Sequence, residues 1–311
     1  MIRKDKPDVI WSTYPIASAH LIGLALHRLS GIPWVVDCRD SMTEENYPAN
    51  PTQKKIYRWI ERQIVKHAAR AIFTTQGARD MYLQRYPDVE PERFVVIPNG
   101  YDEEIFRAAE KGVNHSTSAS EKLTLVHSGV LYPSERDPTA FFDALSELKK
   151  AGSISGDNLN IILRATGHDA IFQPMLRQRD IEDLVTLAPG VSYNEALQEM
   201  LSVDGLLLFQ ASSCNHQIPA KLYEYFRAGK PVLALTDKAG NTATTLAEAG
   251  LDDIADLADK RDIQQQLVSF VVGLREGRAK VASSEVAASY SRQSLIARFA
   301  EVFNVSVKPS G

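Results

Sequence analysis

Short apolar runs alternate with amphipathic helical stretches along almost the whole chain, and this alternation most restricts the fold. Strands of four to six residues separated by ten or more helical ones cannot pair as hairpins. They pair in parallel, with helices returning over the sheet faces. Asp8-Val-Ile-Trp11 reads as a buried strand. Ile16, Ala19, Ile22, Leu26 and Leu29 then recur at helical spacing from Pro15 to Gly31, and Trp34-Val-Val-Asp37 is the next strand. A helix after Asn50-Pro51 carries Ile56, Trp59, Ile60 and Ile64 on an inward face and Lys54, Lys55, Arg58, Glu61 and Arg62 on an outward one. Ala71-Ile-Phe-Thr74 and Phe94-Val-Val-Ile97 complete a first α/β half, closed by the turn Pro98-Asn-Gly100.

Residues 108–121 are small, polar and without period, the composition of a linker. Beyond them Leu123–His127, Leu159–Leu163, Asp204–Phe209 and Pro231–Leu235 read as strands of a second doubly wound sheet, and Leu295–Phe303 as a last amphipathic helix. The expected organisation is a partial N-terminal Rossmann-like domain over 1–107, a linker over 108–121, a C-terminal Rossmann-like domain over 122–285, and a tail over 286–311 whose helix packs back on the first domain.

With 311 residues, 44% of them hydrophobic, the chain has material for two cores, so disordered and disulfide-scaffold classes are excluded. Its 35 basic and 39 acidic side chains leave a formal charge of -4, too balanced for a phosphate-backbone binder, and no nucleic acid is expected as a partner. Cys38 and Cys214 are far apart and match no metal-ligand spacing, which points to a reducing, cytoplasmic location. No run reaches the roughly 18 apolar residues of a membrane span, and the opening lacks the apolar core of a signal peptide. The charged start before Pro7 reads as a solvated end, with peripheral contact to an anionic inner membrane face as its alternative.

Three segments follow the carboxyl ends of strands, where open parallel sheets bind ligands. Ser128-Gly129 turns from a strand toward a helix, a geometry in which backbone N–H groups favour a phosphate; any strand-to-helix connection can also need a glycine. His216-Gln-Ile-Pro219-Ala-Lys221-Leu-Tyr223-Glu224 opens a helix that ends at Gly229, so Lys221 and Glu224 share one face near its start. They could hold a phosphate and paired hydroxyls, or form a surface ion pair. Asp37-Cys38-Arg39-Asp40 brings two carboxylates and a guanidinium to a third strand end, either to orient an acceptor hydroxyl or to tie loops together. His20 and His27 fall on a helix and read as surface or core positions. No metal-ligand cluster and no Gly-x-Ser-x-Gly nucleophile elbow are visible.

Ser128-Gly129, the stretch Phe226-Arg-Ala228-Gly229-Lys-Pro231-Val232 and Val96-Ile-Pro-Asn-Gly-Tyr-Asp102 together resemble motifs of the family-4 glycosyltransferases, also called glycosyl transferases group 1, of GT-B fold. The resemblance covers most of the chain. It implies two Rossmann-like domains facing across a cleft, the donor nucleotide in the C-terminal one, and sugar transfer with retention and without metal or cofactor. The donor is a UDP- or GDP-sugar, and the acceptor a glycan or lipid-linked species of polysaccharide biosynthesis. It also implies Gly129, with Ser128, and Arg136 near the diphosphate, Lys221 as a further phosphate cation and Glu224 on the ribose. Val191 and Ser192 would lie beside the base, and His216 and Gln217 would lie at the donor.

The sequence departs from the family at several of these positions. His216 stands where the family has the first glutamate of a Glu-x7-Glu pair, Val130 where many members have arginine, and Arg39-Asp40 where a histidine is usual. Catalysis is therefore expected to rest on Arg136 and Lys221 at the departing diphosphate, with Arg39 and Asp40 orienting the acceptor. Family members also begin with strands for which this chain has no counterpart before Pro7-Asp-Val-Ile, so the N-terminal domain is expected to be incomplete and either to self-associate through the sheet edge within residues 1–30 or to be aggregation-prone. The rival reading is a non-catalytic fragment that binds nucleotide-sugar or a partner. A nucleotide-sugar epimerase of the same architecture would need an acid/base set that these residues do not supply.

Overall fold

The computed structural model describes residues 6–45, 47–113 and 122–307, and the chain divides into two compact units. Unit 1 comprises residues 1–99 and 293–311, and unit 2 residues 100–292. Most of the charged opening, residues 1–5, and residues 114–121 of the expected linker lie outside the described residues.

Unit 1 runs β1 (Ile10–Thr13), α1 (Ala17–Ser30), β2 (Trp34–Cys38), α2 (Pro51–His67), β3 (Arg70–Phe73), α3 (Gln76–Arg85) and β4 (Phe94–Val96). The four strands form a parallel sheet in the order β1-β2-β3-β4. β2 is buried along its whole length, as a central strand covered on both faces must be.

β1 begins two residues later than its apolar run predicts and alternates buried and exposed positions, as an edge strand with one solvated face does. Ile10 N–H is anchored on the Pro33 carbonyl at 2.9 Å, so Asp8 and Val9 precede the ladder. Trp11, half-exposed, meets the rings of Phe299 and Phe303 edge-on at 6.2 and 6.3 Å. These two rings belong to the last helix of the chain, α12 (Arg292–Val307), whose Leu295 and Val302 share a buried cluster with Val35, Ile72 and Ile97.

The faces of two helices differ from those expected. On α1 the buried positions are His20, Gly23 and Leu24, whereas Ile16, Ile22 and Leu29 are exposed. The inward stripe is chosen by a close approach and a hydrogen-bond chain that apolar periodicity does not register. A Cβ on Gly23 would lie 2.4 Å from Trp34 Nε1, which donates to Ser12 Oγ at 2.8 Å, and Ser12 Oγ in turn lies 2.9 Å from His20 Nδ1. On α2, Ile60 and Ile64 are buried as expected, but so is Glu61, while Ile56 and Trp59 are half-exposed.

Glu61 survives without water because its carboxylate is fully hydrogen-bonded. Oε1 accepts from Thr43 Oγ1 at 2.8 Å and Tyr82 Oη at 2.9 Å, and Oε2 from Tyr86 Oη and Arg85 Nη1, both at 2.9 Å. Arg85 also donates to the Thr43 carbonyl at 2.9 Å, so α2 and α3 together pin the loop that leaves β2.

Unit 2 opens with α4 (Glu103–Glu110), then β5 (Leu123–Ser128), α5 (Thr139–Lys150), β6 (Leu159–Arg164), α6 (Asp169–Gln178), β7 (Val185–Ala188) and α7 (Tyr193–Ser202). It continues through β8 (Gly205–Phe209), α8 (Lys221–Ala228), β9 (Val232–Leu235), α9 (Asn241–Glu248), β10 (Ile254–Ala255), α10 (Lys260–Arg275) and α11 (Ser284–Ser289). Its sheet is parallel in the order β10-β9-β8-β5-β6-β7. Succession along the chain therefore reverses direction between β5 and β8, the arrangement of a doubly wound nucleotide-binding sheet.

Units 1 and 2 meet along the chain at Asn99/Gly100, ahead of the expected limit at 107. α4 belongs to unit 2 because Phe106 and Ala109 are buried in the same cluster as Leu197, Leu222 and Phe226. Residues 286–292 stay with unit 2 as well. Tyr101 N–H donates to the Tyr290 carbonyl at 3.2 Å and Arg292 N–H to the Tyr101 carbonyl at 2.9 Å.

Glu61→Ala should lower the stability of unit 1 by on the order of 3 kcal/mol, since it leaves Arg85 and three hydroxyls facing a void. Denaturant unfolding should show an earlier transition with an unchanged slope. A shift under about 0.5 kcal/mol would mean that Glu61 is not the hub described.

Candidate functional site

The two strands that diverge at the reversal, β5 and β8, define where side chains of unit 2 can converge on a ligand. β5 ends in Ser128 and turns at Gly129, whose φ of +116° lies outside the range open to other residues. Its N–H donates to the Arg164 carbonyl at 2.9 Å. A Cβ there would also stand 3.0 Å from Lys221 Nζ, so conformation demands the glycine and any larger residue would push the lysine aside.

Lys221 is the first residue of α8, where a cation opposes the helix dipole and no side chain caps the helix. Nζ donates to the Ser128 carbonyl at 2.6 Å and lies 3.3 Å from His127 Nε2. Burial pulls its pKa down to about 7, the Arg136 charge adding to the fall and Glu224 opposing it. His127 is fully buried at the end of β5, and its Nδ1 lies 3.0 Å from the Leu207 carbonyl of β8. Arg136 donates to the Val130 carbonyl at 2.7 Å and rests over the Tyr132 ring at 5.5 Å. Ser128 N–H faces the hydroxyl of buried Tyr225 at 3.4 Å.

Glu224, one turn into α8, accepts a 2.6 Å hydrogen bond from Tyr193 Oη. One carboxylate oxygen is thus engaged by the protein itself, so an incoming pair of hydroxyls would share the carboxylate with a phenol. Burial and the Glu224 carboxylate push the Tyr193 phenol well above its ordinary pKa, so it stays a donor. Tyr193 is placed by Ser192, the N-cap of α7, whose hydroxyl accepts from Glu195 N–H at 3.3 Å while Ser192 N–H donates to Glu195 at 2.8 Å. Val191, just before, is exposed. His216 and Gln217 follow a 3-10 turn at Ser212–Cys214; the Gln217 carbonyl accepts from Gln210 Nε2 at 3.1 Å, and its amide faces His216 Nε2 at 3.4 Å.

The Arg39–Asp40 segment lies in unit 1 at the carboxyl end of β2. Arg39 pairs with buried Asp37 at 3.0 Å and donates to Asn99 Oδ1 at 2.7 Å, so its first role is to tie the β2 end to the Pro98-Asn-Gly100 turn. Desolvation raises the pKa of Asp37 against the pull of Arg39, and that of Asp40 likewise, with Glu44 adding to the latter. His20 is a core residue, its pKa lowered by burial to about 4, and His27 Nδ1 lies 2.7 Å from the Ile32 carbonyl. Among the described residues no group of three or more His, Cys, Asp or Glu is placed to hold a metal ion.

Unit 2 therefore gathers Ser128, Gly129, Arg136, Lys221 and Glu224 at its reversal point, and it adds His127 and Tyr193, which sequence reasoning passed over. His127 has a faint signal, a histidine inside an otherwise apolar strand one residue before the Ser-Gly turn. Tyr193 has none, because its partner is 31 residues away.

Two α/β units with all-parallel sheets, the second with its reversal at β5/β8, constitute a GT-B fold. HepE of Anabaena, crystallised with UDP-glucose, superposes with a TM-score of 0.71 at 17% identity over 96% of this chain and 79% of that one. Sucrose-phosphate synthase of Thermosynechococcus elongatus does so with a TM-score of 0.71 at 12% identity, over 98% and 75%. Within this fold, residues 1–100 match the glycosyl transferase 4-like domain. A stretch of 65 residues is 35% identical to alpha-maltose-1-phosphate synthase of Mycolicibacterium smegmatis, covering 21% of this chain and only 17% of that relative. No helix among the described residues is long and apolar enough to cross a membrane.

Gly129→Ala should destabilise unit 2 by about 1–3 kcal/mol through its backbone conformation, and displace Lys221 as well. Gly229→Ala, at a φ of +63° with open space around it, should cost only about 1 kcal/mol. Equal losses in thermal or denaturant unfolding would show that Lys221 yields freely.

Proposed function

We propose that the chain transfers a glycosyl group from a nucleotide-sugar, UDP- or GDP-linked, to a glycan or lipid-linked acceptor, with retention at the anomeric carbon and with no resident metal or cofactor. The observation that carries this reading is the junction of the Gly129 turn with Lys221 at the reversal point of unit 2, where the charges of Arg136 and Glu224 both act on the lysine. An ammonium at a helix N-terminus, in a pocket that strips its water, is poorly compensated until an anion arrives.

In the reaction the bond between the anomeric carbon and the diphosphate oxygen breaks. A bond to the acceptor oxygen forms on the same face, and the acceptor proton leaves with the departing phosphate. Charge accumulates on that diphosphate as the bond breaks, and Lys221 and Arg136 beside the Gly129 turn are the groups we assign to it. Glu224, oriented by Tyr193, is assigned to the ribose hydroxyls, Val191 and Ser192 to the base, and His216 with Gln217 to the sugar. Asp40 of unit 1 is assigned to the acceptor, with Arg39 holding the β2 end beside it on Asp37 and Asn99. The raised pKa of Asp40 suits a carboxylate that orients a hydroxyl. Polysaccharide assembly at the cytoplasmic side of a membrane is the setting this reading implies.

The test is a binding screen of UDP, GDP and ADP sugars, followed by transfer assays with the best donor and magnetic-resonance assignment of the product anomer. Glu224→Ala should weaken binding of the preferred nucleotide at least about tenfold, as loss of charge-assisted hydrogen bonds does. Arg136→Ala and Lys221→Ala should weaken the nucleoside diphosphate far more than the nucleoside. Equal losses on both ligands would reassign them to the base pocket or the fold.

A pH series adds an independent check. Free Lys221 gives up its proton near pH 7, while the terminal phosphate is already ionised above about pH 6. Diphosphate affinity should therefore fall as pH rises from 7 to 9, and the slope should vanish in Lys221→Met. Stability should run the other way. The unfolded chain holds this proton up to about pH 10.5 and the folded one only to about 7, so unfolding becomes harder as pH rises between them.

A further inference from the structure

Among the described residues, His127 is the buried titratable group that touches the candidate diphosphate cation, and the Leu207 carbonyl selects its tautomer. The Leu207 carbonyl, 3.0 Å from Nδ1, can only accept, so Nδ1 carries the proton. Burial holds the ring neutral, well below its ordinary pKa, with the Lys221 and Arg136 charges acting in the same direction and backbone hydrogen bonds to Leu207 and Gly129 opposing it. Nε2 is then a bare acceptor, and it points at Lys221 Nζ, 3.3 Å away. The Phe209 ring packs against it, perpendicular at 5.0 Å.

The ammonium of Lys221 has three N–H donors. One goes to the Ser128 carbonyl, one to His127 Nε2, and the third is left for an anion over the Gly129 turn. With an apolar side chain at 127, the ammonium would keep a single fixed acceptor and could rotate about it. Arg136 and Glu224, the other charged groups that act on Lys221, set its field and do not touch Nζ.

We propose that His127 is a positioning residue, which holds the Lys221 ammonium over the Gly129 turn through its bare Nε2 and so aims it at the diphosphate of the donor. This rests on the reading of that turn as a diphosphate site, and the experiment separates the two. UDP, GDP and ADP, each beside its nucleoside, are titrated into the native chain and into Lys221→Ala, His127→Asn and His127→Gln. Asparagine keeps the N–H near Nδ1 and loses the acceptor at Nε2. Glutamine places an acceptor near Nε2.

Binding of the preferred diphosphate should weaken about tenfold in His127→Asn and stay within about threefold of native in His127→Gln, with nucleoside binding unchanged in both. If Lys221→Ala binds the diphosphate like the native chain, or none of the three diphosphates binds, the site reading fails and this one with it. If Lys221→Ala loses affinity while His127→Asn does not, or if the asparagine and glutamine variants lose it equally, the positioning role alone is overturned. Nitrogen magnetic resonance of the native chain covers the case in which the variants do not fold. It should find His127 protonated on Nδ1 and untitrated between pH 5 and 9, and a proton on Nε2 would overturn the proposal.

Discussion

A positive charge that is mostly out of water and yet within reach of a ligand organises unit 2. Lys221 can be kept in this place only if its neighbours supply acceptors without supplying a full counter-charge, and the Ser128 carbonyl and His127 do so. Each of these in turn depends on a strand end. Ser128 closes β5, His127 is the residue before it, and the Leu207 carbonyl that orients His127 belongs to β8. Two strands that are neighbours in the sheet but 80 residues apart in the chain are thus locked together by the imidazole that serves the lysine. The site is an outgrowth of the sheet's reversal point, and rigid for that reason.

Unit 1 handles buried charge in the opposite way. Glu61 and Arg85 are paired and surrounded by hydroxyls, leaving no valence for a ligand, and their product is mechanical: a fixed loop after β2. Arg39 is likewise spent on Asp37 and Asn99. Asp40, which follows, has no such full set and is the group in that segment with chemistry in reserve.

What could be read from the sequence follows from how local the signal is. Parallel α/β architecture, most strand positions and the Ser128-Gly129 and Lys221/Glu224 segments rest on periodicity and on helix punctuation, which neighbouring residues carry. The burial of Glu61 could not be read that way, because it depends on Thr43, Tyr82, Arg85 and Tyr86 arriving from elsewhere in the chain. The face of α1 was misread for a related reason. Gly23 and His20 face inward because Trp34 and Ser12 demand a small residue and a polar partner, and periodicity counts only apolar ones. α4 hid behind the polar residues that follow it, although Asp102 caps it and Phe106 anchors it. Glu224 was legible as a carboxylate at a strand end, and the phenol that engages it was not.

The last helix has a consequence for how the protein comes into being. Unit 1 is written in two pieces, 1–99 and 293–311, with the whole of unit 2 between them. During synthesis its four strands emerge before unit 2, yet the face of the sheet that includes Val35, Ile72 and Ile97 lacks Leu295 and Val302 until the whole of unit 2 has been made. Unit 2 is contiguous, so unit 1, begun before it, is completed after it. Throughout that interval Trp11 and the apolar strand faces behind it stand open, and a chain stalled or clipped before residue 293 would expose them permanently.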